Sequence, residues 1–264
     1  MKRNSMPVLA LLSAIFGAIA LAGLRYYQLL FCMDDNGLLA RDSLIPWVFF
    51  AVIVVLIAAL VLTLVRLDKT AGVEQDCHRG IFWHLCSAAA AAGLMAGCGY
   101  YALKVPVSDT LKLVLFSAGL VCAALLIISD ALRIMGKSSH FLLLLLPCIF
   151  LAGKLVFDFK QWSYDPIVID FCFKLLASIA AMLACFNLAG FPIGIGKKRA
   201  TIFFCLLAFA FSAMLVPDCL LDRGCTIKEL VIYISLGLWC LINGLMLLFP
   251  REKDEEALTE PDPE

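Results

Sequence analysis

The sequence predicts an all-α fold: a polytopic transmembrane helix bundle of about eight spans, with both termini cytoplasmic. Three observations carry this. Hydrophobic residues make up 63% of the 264 and charged residues only 16%, with a mean hydropathy of +0.97. A soluble globular chain holds about 45–50% apolar and about 25% charged residues. The apolar residues fall in continuous runs such as WVFFAVIVVLIAALVLTLV (47–65), close to the roughly 20 residues that cross a hydrocarbon core. These runs do not alternate as barrel strands do. Only helices and closed barrels satisfy every backbone group in lipid, so the runs are helices. Finally, the connections are short, the longest near 67–80, which leaves no room for a separate soluble domain.

The first run, 7–31, follows the basic MKRNS. Its Ala20-Leu21-Ala22 resembles a signal-peptide cleavage site. Hydrophobicity nevertheless continues through LRYYQLLF, too long for the apolar region of a signal peptide, and this favours a retained span. Cleavage would leave seven spans and an outside N-terminus. The second run covers 44–66 and the third 81–103. The third, with SAAAAAGLMAGCG, is built from small residues, and Gly93 and Gly97 lie four apart. Small faces let helices approach closely in lipid, where van der Waals contact drives association. That face is a packing surface for another helix, of this chain or of a partner; a narrow pathway lined by backbone is the alternative. The remaining runs cover 109–135, 140–157, 164–190, 199–217 and 226–250. Residues 1–250 thus form one transmembrane domain. The tail REKDEEALTEPDPE (251–264) is too acidic and too poor in apolar residues to fold, and is expected to be a disordered cytosolic end.

Orientation follows from the basic residues of the connections. One set holds Lys2, Arg3, Arg66, Lys69, Arg79, Arg133, Lys137, Lys197, Lys198, Arg199, Arg251 and Lys253. The alternate set, span ends included, holds Arg41, Lys104, Lys112, Lys160, Arg223 and Lys228. The richer set is the cytoplasmic one, and an even number of spans returns the C-terminus to the side of the N-terminus.

The polar residues within the spans carry what the sequence says about function. KLVFDFKQWSYDPIVIDFCFKLL (154–176) places Lys154 and Asp158 four apart at the outer end of the fifth span. Ser163-Tyr164-Asp165-Pro166 then reads as a helix start, and Asp170 and Lys174, again four apart, share a face of the sixth span. Two readings stand. In one, lysines snorkel to the headgroups and carboxylates suit helix ends, with Phe159, Trp162 and Tyr164 as an aromatic belt. In the other, Arg25 and Gln28 of the first span join Lys154, Asp158, Asp170 and Lys174 in a polar cluster of the outer half that binds a small molecule or ion. Asp130 is expected to pair with Arg133, and Asn187 and Asn243 to hydrogen-bond between helices.

The twelve cysteines lie mostly within spans, where Cys behaves as a small hydrophobe. Cys219 and Cys225 near the predicted outer loop are the candidate disulfide, with Cys32 as an alternative partner. Cys77, His78, His84 and Cys86 match no structural zinc spacing, so no metal is assigned. There is no C-x-x-C, Walker A, H-E-x-x-H or nucleophile elbow, so the expectation is a protein that is not an enzyme and needs no cofactor. The balanced charge, 21 basic against 21 acidic residues, makes no case for nucleic acid.

At RYYQLL (25–30) with DDNG beyond it, and at QWSYDPIVIDFCFKLLA (161–177) followed by NLAGF (187–191), the chain resembles a family of uncharacterised multi-pass membrane proteins of clostridial-type Firmicutes. The resemblance implies a bacterial plasma membrane and brings no activity, substrate or site residues. Transport or small-ligand binding through the outer polar cluster is the leading functional expectation. The alternative is a non-catalytic membrane component acting through its small-residue face or its tail. The transport reading lacks one support: no symmetry relates 1–135 to 140–250, and no two corresponding Gly/Pro-broken spans stand out.

The topology is testable. Reporter fusions after Glu264 and at Asp35 should report opposite sides of the membrane, and finding both on one side would exclude the eight-span map.

Overall fold

The structure, a computed structural model, describes residues 5–33, 43–67, 81–106, 109–135, 137, 140–162, 168–221 and 225–249. The acidic tail, the segment holding Asp35, the pair Cys77–His78, the Ser163–Pro166 start signal and the side chain of Asp170 lie outside the described residues.

The described residues form an all-helical bundle. In chain order the helices are α1 (Ser5–Phe31), α2 (Ile45–Val65), α3 (Ile81–Lys104), α4 (Thr110–Ile134), α5 (Phe141–Trp162), α6 (Val168–Ala189), α7 (Lys198–Ala213), α8 (Val216–Leu220) and α9 (Ile227–Leu248). With α7 and α8 counted as one span, eight are long and apolar enough to cross a membrane. The ends follow local chemistry. Pro46 stands in the first turn of α2, where its missing N–H costs no intrahelical bond. Thr226 and Glu229 form a reciprocal capping box at the start of α9, satisfying two donors that a helix start leaves open. The α6–α7 turn passes through Gly194 at φ 74°, a left-handed conformation that glycine adopts without steric cost.

Two departures from the expected spans matter. Helix α5 runs on to Trp162, five residues past the expected 157, so Asp158 stays within a helix. The seventh span is not continuous: α7 ends at Ala213, a turn follows, and Pro217 opens the short α8. Proline cannot continue a helix without losing a bond and clashing with the turn before it.

Six helices close a ring in which α3 packs on α4, α4 on α5, α5 on α6, α6 on α7, α7 on α9, and α9 back on α3. Helices α1 and α2 lean on the outside of α7. Cross-helix bonds mark the two ends of the bundle. Tyr101 Oη and Thr226 Oγ1 meet at 2.8 Å at the end where α3 finishes and α9 begins, here called distal. Arg133 and Asn243 meet at the other, proximal end, where α4 and α9 finish.

Apolar side chains provide no strong preference for protein over lipid, so close approach decides which helices sit together. Helix α1 turns Ala10, Ala14, Ala18 and Leu21 inward, a stripe at helical spacing. Gly93 and Gly97 of α3 are filled by Ser235 and Ile232 of α9, so α9 of the same chain occupies the small-residue face. Gly237 of α9 is pressed against α7: a Cβ there would lie 2.6 Å from Ser212 Cβ. Large side chains such as Phe16, Phe50, Phe82 and Val121 point outward, where lipid would cover them.

Gly237→Ala should therefore lower the thermal stability of the purified protein by about 1–3 kcal/mol through overpacking. Gly153→Ala, where an added Cβ meets nothing within 4 Å, should be neutral or stabilising by about 0.5–1 kcal/mol from helix propensity. Equal effects at both positions would contradict the α7–α9 contact.

Candidate functional site

The buried polar residues gather in two places, one near each end of the bundle. The distal group extends the apolar stripes that build the core. On α1 the stripe of alanines continues into Arg25 and Gln28, both fully buried. On α5, Leu144 and Leu151 continue into Asp158, seven residues further on, with Lys154 beside it. On α6, Lys174 lies next to Phe173 and one turn from Ala177 and Ser178, all buried. Helical periodicity thus directs these charges into the protein.

Burying an ion in a medium of low dielectric costs several kcal/mol unless a partner compensates it, and each cation has one. Arg25 Nε donates to Asp218 Oδ1 at 2.7 Å, Arg25 Nη1 donates to Gln28 Oε1 at 2.9 Å, and its guanidinium lies 4.8 Å from the Phe173 ring centre. Lys174 Nζ donates to Glu229 Oε2 at 2.9 Å. Lys154 Nζ donates to Asp158 Oδ2 and, at 2.9 Å, to Tyr233 Oη. Tyr233 Oη in turn donates to Asp158 Oδ2 at 3.5 Å, closing a triangle. Three basic–acidic pairs thus cross the distal half, joining α1 to α8 and α6 to α9, and tying α5 to α9 through Tyr233.

One of these sets faces open space. A cleft of about 330 Å³ lies between α3, α4, α5 and α9 at the distal end. Its lining includes Lys154, Asp158, Tyr233 and Glu229, with Lys104, Asp109 and Lys112 from the α3–α4 turn and helix ends. Tyr101 and Phe116 stack on one wall, ring centres 4.7 Å apart and planes within 13°. Of the six residues singled out from sequence, Lys154 and Asp158 line this cleft. Arg25 and Gln28 belong instead to the Asp218 pair, and Lys174 meets Glu229 of the lining without lining the cleft itself. These five fall in adjoining groups, not in one cavity; the side chain of Asp170 lies outside the described residues.

Asp218, Glu229 and Tyr233 were not among the sequence candidates. Glu229 had a signal, since Thr226-Ile227-Lys228-Glu229 has the S/T-x-x-E spacing of a capping box. Asp218 had none, because only the helix break before Pro217 turns it inward. Tyr233 looks like any aromatic residue of an apolar run.

The proximal group sits on α3, α4 and α9. Arg133 Nη1 donates to Asn243 Oδ1 at 3.0 Å, and Asn243 Nδ2 donates to Ser87 Oγ at 3.1 Å. Asn243 thus hydrogen-bonds between helices, whereas Asn187 donates to the Leu183 carbonyl of its own helix at 2.8 Å. Asp130 Oδ1 lies 3.8 Å from both Arg133 Nη1 and His84 Nδ1. The expected Asp130–Arg133 pair is present as an ion pair, but neither Asp130 oxygen accepts a hydrogen bond among the described residues.

Cys219 and Cys225, the candidate disulfide, are not joined by a disulfide in the structure. Cys225 is buried and turns its Sγ to the Thr226 carbonyl at 3.6 Å. Burial pushes its thiol up to about 12, which starves it of the thiolate that exchange requires. Among the described residues no group of three or more His, Cys, Asp or Glu could hold a metal ion.

Fold and site together have the form of a multi-pass integral membrane protein with polar groups inside its bundle, one set of them facing a cleft. Comparisons of the chain with protein-family models, curated proteins and solved structures return no match.

The Arg25–Asp218 pair makes a direct prediction. Arg25→Met or Asp218→Asn alone should cost about 3–5 kcal/mol of stability, because each strands or weakens a buried charge. The double variant should lose less than the sum, read as thermal unfolding in detergent. Additive losses would show that the two residues are not coupled.

Proposed function

We propose that the protein recognises a small polar solute in the distal cleft and carries it across the membrane along the seam of α3, α4 and α9. One arrangement supports this reading above all: two polar groups lie one above the other along α9. The distal one is completed by α5 in a cleft that α3 and α4 also line, the proximal one by α3 and α4. The distal group offers Lys154, Asp158, Tyr233 and Glu229 to the cleft. The proximal group holds His84, Asp130, Arg133 and Asn243. Between them lie Leu94, Cys98, Leu126, Leu236 and Trp239, all buried. Tyr233 and Asn243 are separated by ten positions on α9, about 15 Å along the helix. Polar stations divided by an apolar layer suit a solute that must be admitted on one side and released on the other.

The cost of the arrangement points the same way. A bundle that needed only to pack would do as well with apolar residues at these positions, since replacing buried ion pairs by hydrophobic groups is often neutral or stabilising. Ionisable side chains that face a bundle interior mark solute and ion pathways. In this reading Lys154, Asp158 and Tyr233 recognise the solute, while Arg25–Asp218 and Lys174–Glu229 hold the surrounding helices. The basic residues of the connections place the distal end outside the cell, and the resemblance to clostridial-type membrane proteins favours a bacterial plasma membrane.

Thermal unfolding of the purified protein against separate panels of amino acids, carboxylic acids, amines and sugars tests this. At least one class should raise the unfolding temperature by several degrees, and the rise should vanish in the double variant Lys154→Met, Asp158→Asn. That variant removes both charges together and so strands neither. No stabilisation by any class, or stabilisation that persists in the variant, would overturn the proposal.

A further inference from the structure

We propose that the ligand of the distal cleft is a small zwitterion with an ammonium and a carboxylate on neighbouring atoms, as in an α-amino acid, carrying an apolar side chain. The inference rests on the cleft being a solute site and names what that site selects.

The valences of the Lys154–Asp158–Tyr233 triangle are the first support. An ammonium has three N–H donors, and Lys154 uses one on Asp158 and one on Tyr233. A carboxylate can accept at both oxygens, yet both bonds to Asp158 end on Oδ2. Among the described residues one N–H of Lys154 and the Oδ1 of Asp158 therefore take no hydrogen bond, on two paired residues, 8% and 6% exposed, that line the cleft. A ligand that completes both must offer an acceptor and a donor a few ångströms apart. An α-carboxylate beside an α-ammonium does so, with charge on each partner.

Charge balance is the second support. The lining holds three lysines, Lys104, Lys112 and Lys154, and three acids, Asp109, Asp158 and Glu229. Such a cleft has no net preference for one sign. A bare anion drawn to Lys154 would meet Asp158 and Glu229, and a bare cation drawn to Asp158 would meet Lys154. At low effective dielectric each like-charge approach is costly, whereas a zwitterion turns both encounters into attractions.

Shape is the third. About 330 Å³ lies at the lower end of the range of about 300–1,000 Å³ for small-molecule pockets, which suits a ligand of amino-acid size. The stacked rings of Tyr101 and Phe116 and the side chain of Ile232 provide an apolar wall for its side chain.

The test uses the purified full chain and calorimetric titration with two series. L-Leucine is compared with isocaproate, which lacks the ammonium, and with isoamylamine, which lacks the carboxylate. L-Phenylalanine is compared with hydrocinnamate and phenethylamine in the same way. At least one amino acid should bind, and each of its single-charge relatives should bind at least about tenfold more weakly, the loss expected for a charged hydrogen bond. Binding of the amino acid should disappear in the Lys154→Met, Asp158→Asn double variant. A single-charge relative that binds as tightly as its parent would overturn the zwitterion while leaving a solute site. Amino-acid binding that survives the double variant would place the site elsewhere and overturn it too. If neither amino acid binds, the zwitterion is likewise excluded, and the panel of solute classes decides separately whether the cleft binds a solute at all.

Discussion

Charge placed in a hydrocarbon-thick bundle must find its opposite, and the distal half of this protein is arranged by that requirement. Arg25, Lys154 and Lys174 are each nine-tenths buried or more, and each meets a carboxylate. Two of the carboxylates come from other helices, Asp218 of α8 and Glu229 of α9, so satisfying Arg25 and Lys174 ties those helices in place. Lys154 meets Asp158 on its own α5 and reaches α9 through Tyr233. The ion pairs do not supply net stability, since desolvation cancels most of their attraction. They supply registry: a helix that slips by one residue strands an ion, and that is far costlier than shifting an apolar contact.

Helix α9 is where these requirements converge. Its first turn is tied by the Thr226–Glu229 capping box, and the same Glu229 receives Lys174. One turn further, Tyr233 meets Lys154. Its middle presents small or close-packed positions to both neighbours, Ser235 against Gly93 of α3 and Gly237 against Ser212 of α7. Near its other end Asn243 joins Arg133 to Ser87. A single helix thus carries polar contacts at two depths and close backbone approach between them. That combination makes the cleft and the proximal group parts of one seam.

Much of this was legible before any coordinates. Runs of about the length of a bilayer announced eight spans because backbone groups in lipid have no solvent to bond. An inward direction for Lys154, Asp158 and Lys174 was one of two readings, since intramembrane charge is expensive on a lipid-facing surface, with snorkelling to the headgroups as the other. The partners did not follow. Lys154 and Asp158 are four apart and so were readable as a pair, but Lys174 pairs with Glu229 55 positions away and Arg25 with Asp218 193 positions away. Spacing along one helix says nothing about which other helix stands opposite.

The division has a physical basis. The sequence by itself determined the number of spans, their apolar length and the presence of charges that would need compensation, because each depends on neighbours within one helix and on the solvent around it. Only the tertiary structure decided that Arg25 and Gln28 belong with Asp218 and that Lys154, Asp158 and Tyr233 line an open cleft. It also decided that the glycine face of α3 is filled by α9. These outcomes depend on which helices approach each other, and in lipid that choice is made by close-packed shape and by the matching of buried charge. Neither is written in the local pattern of any one span.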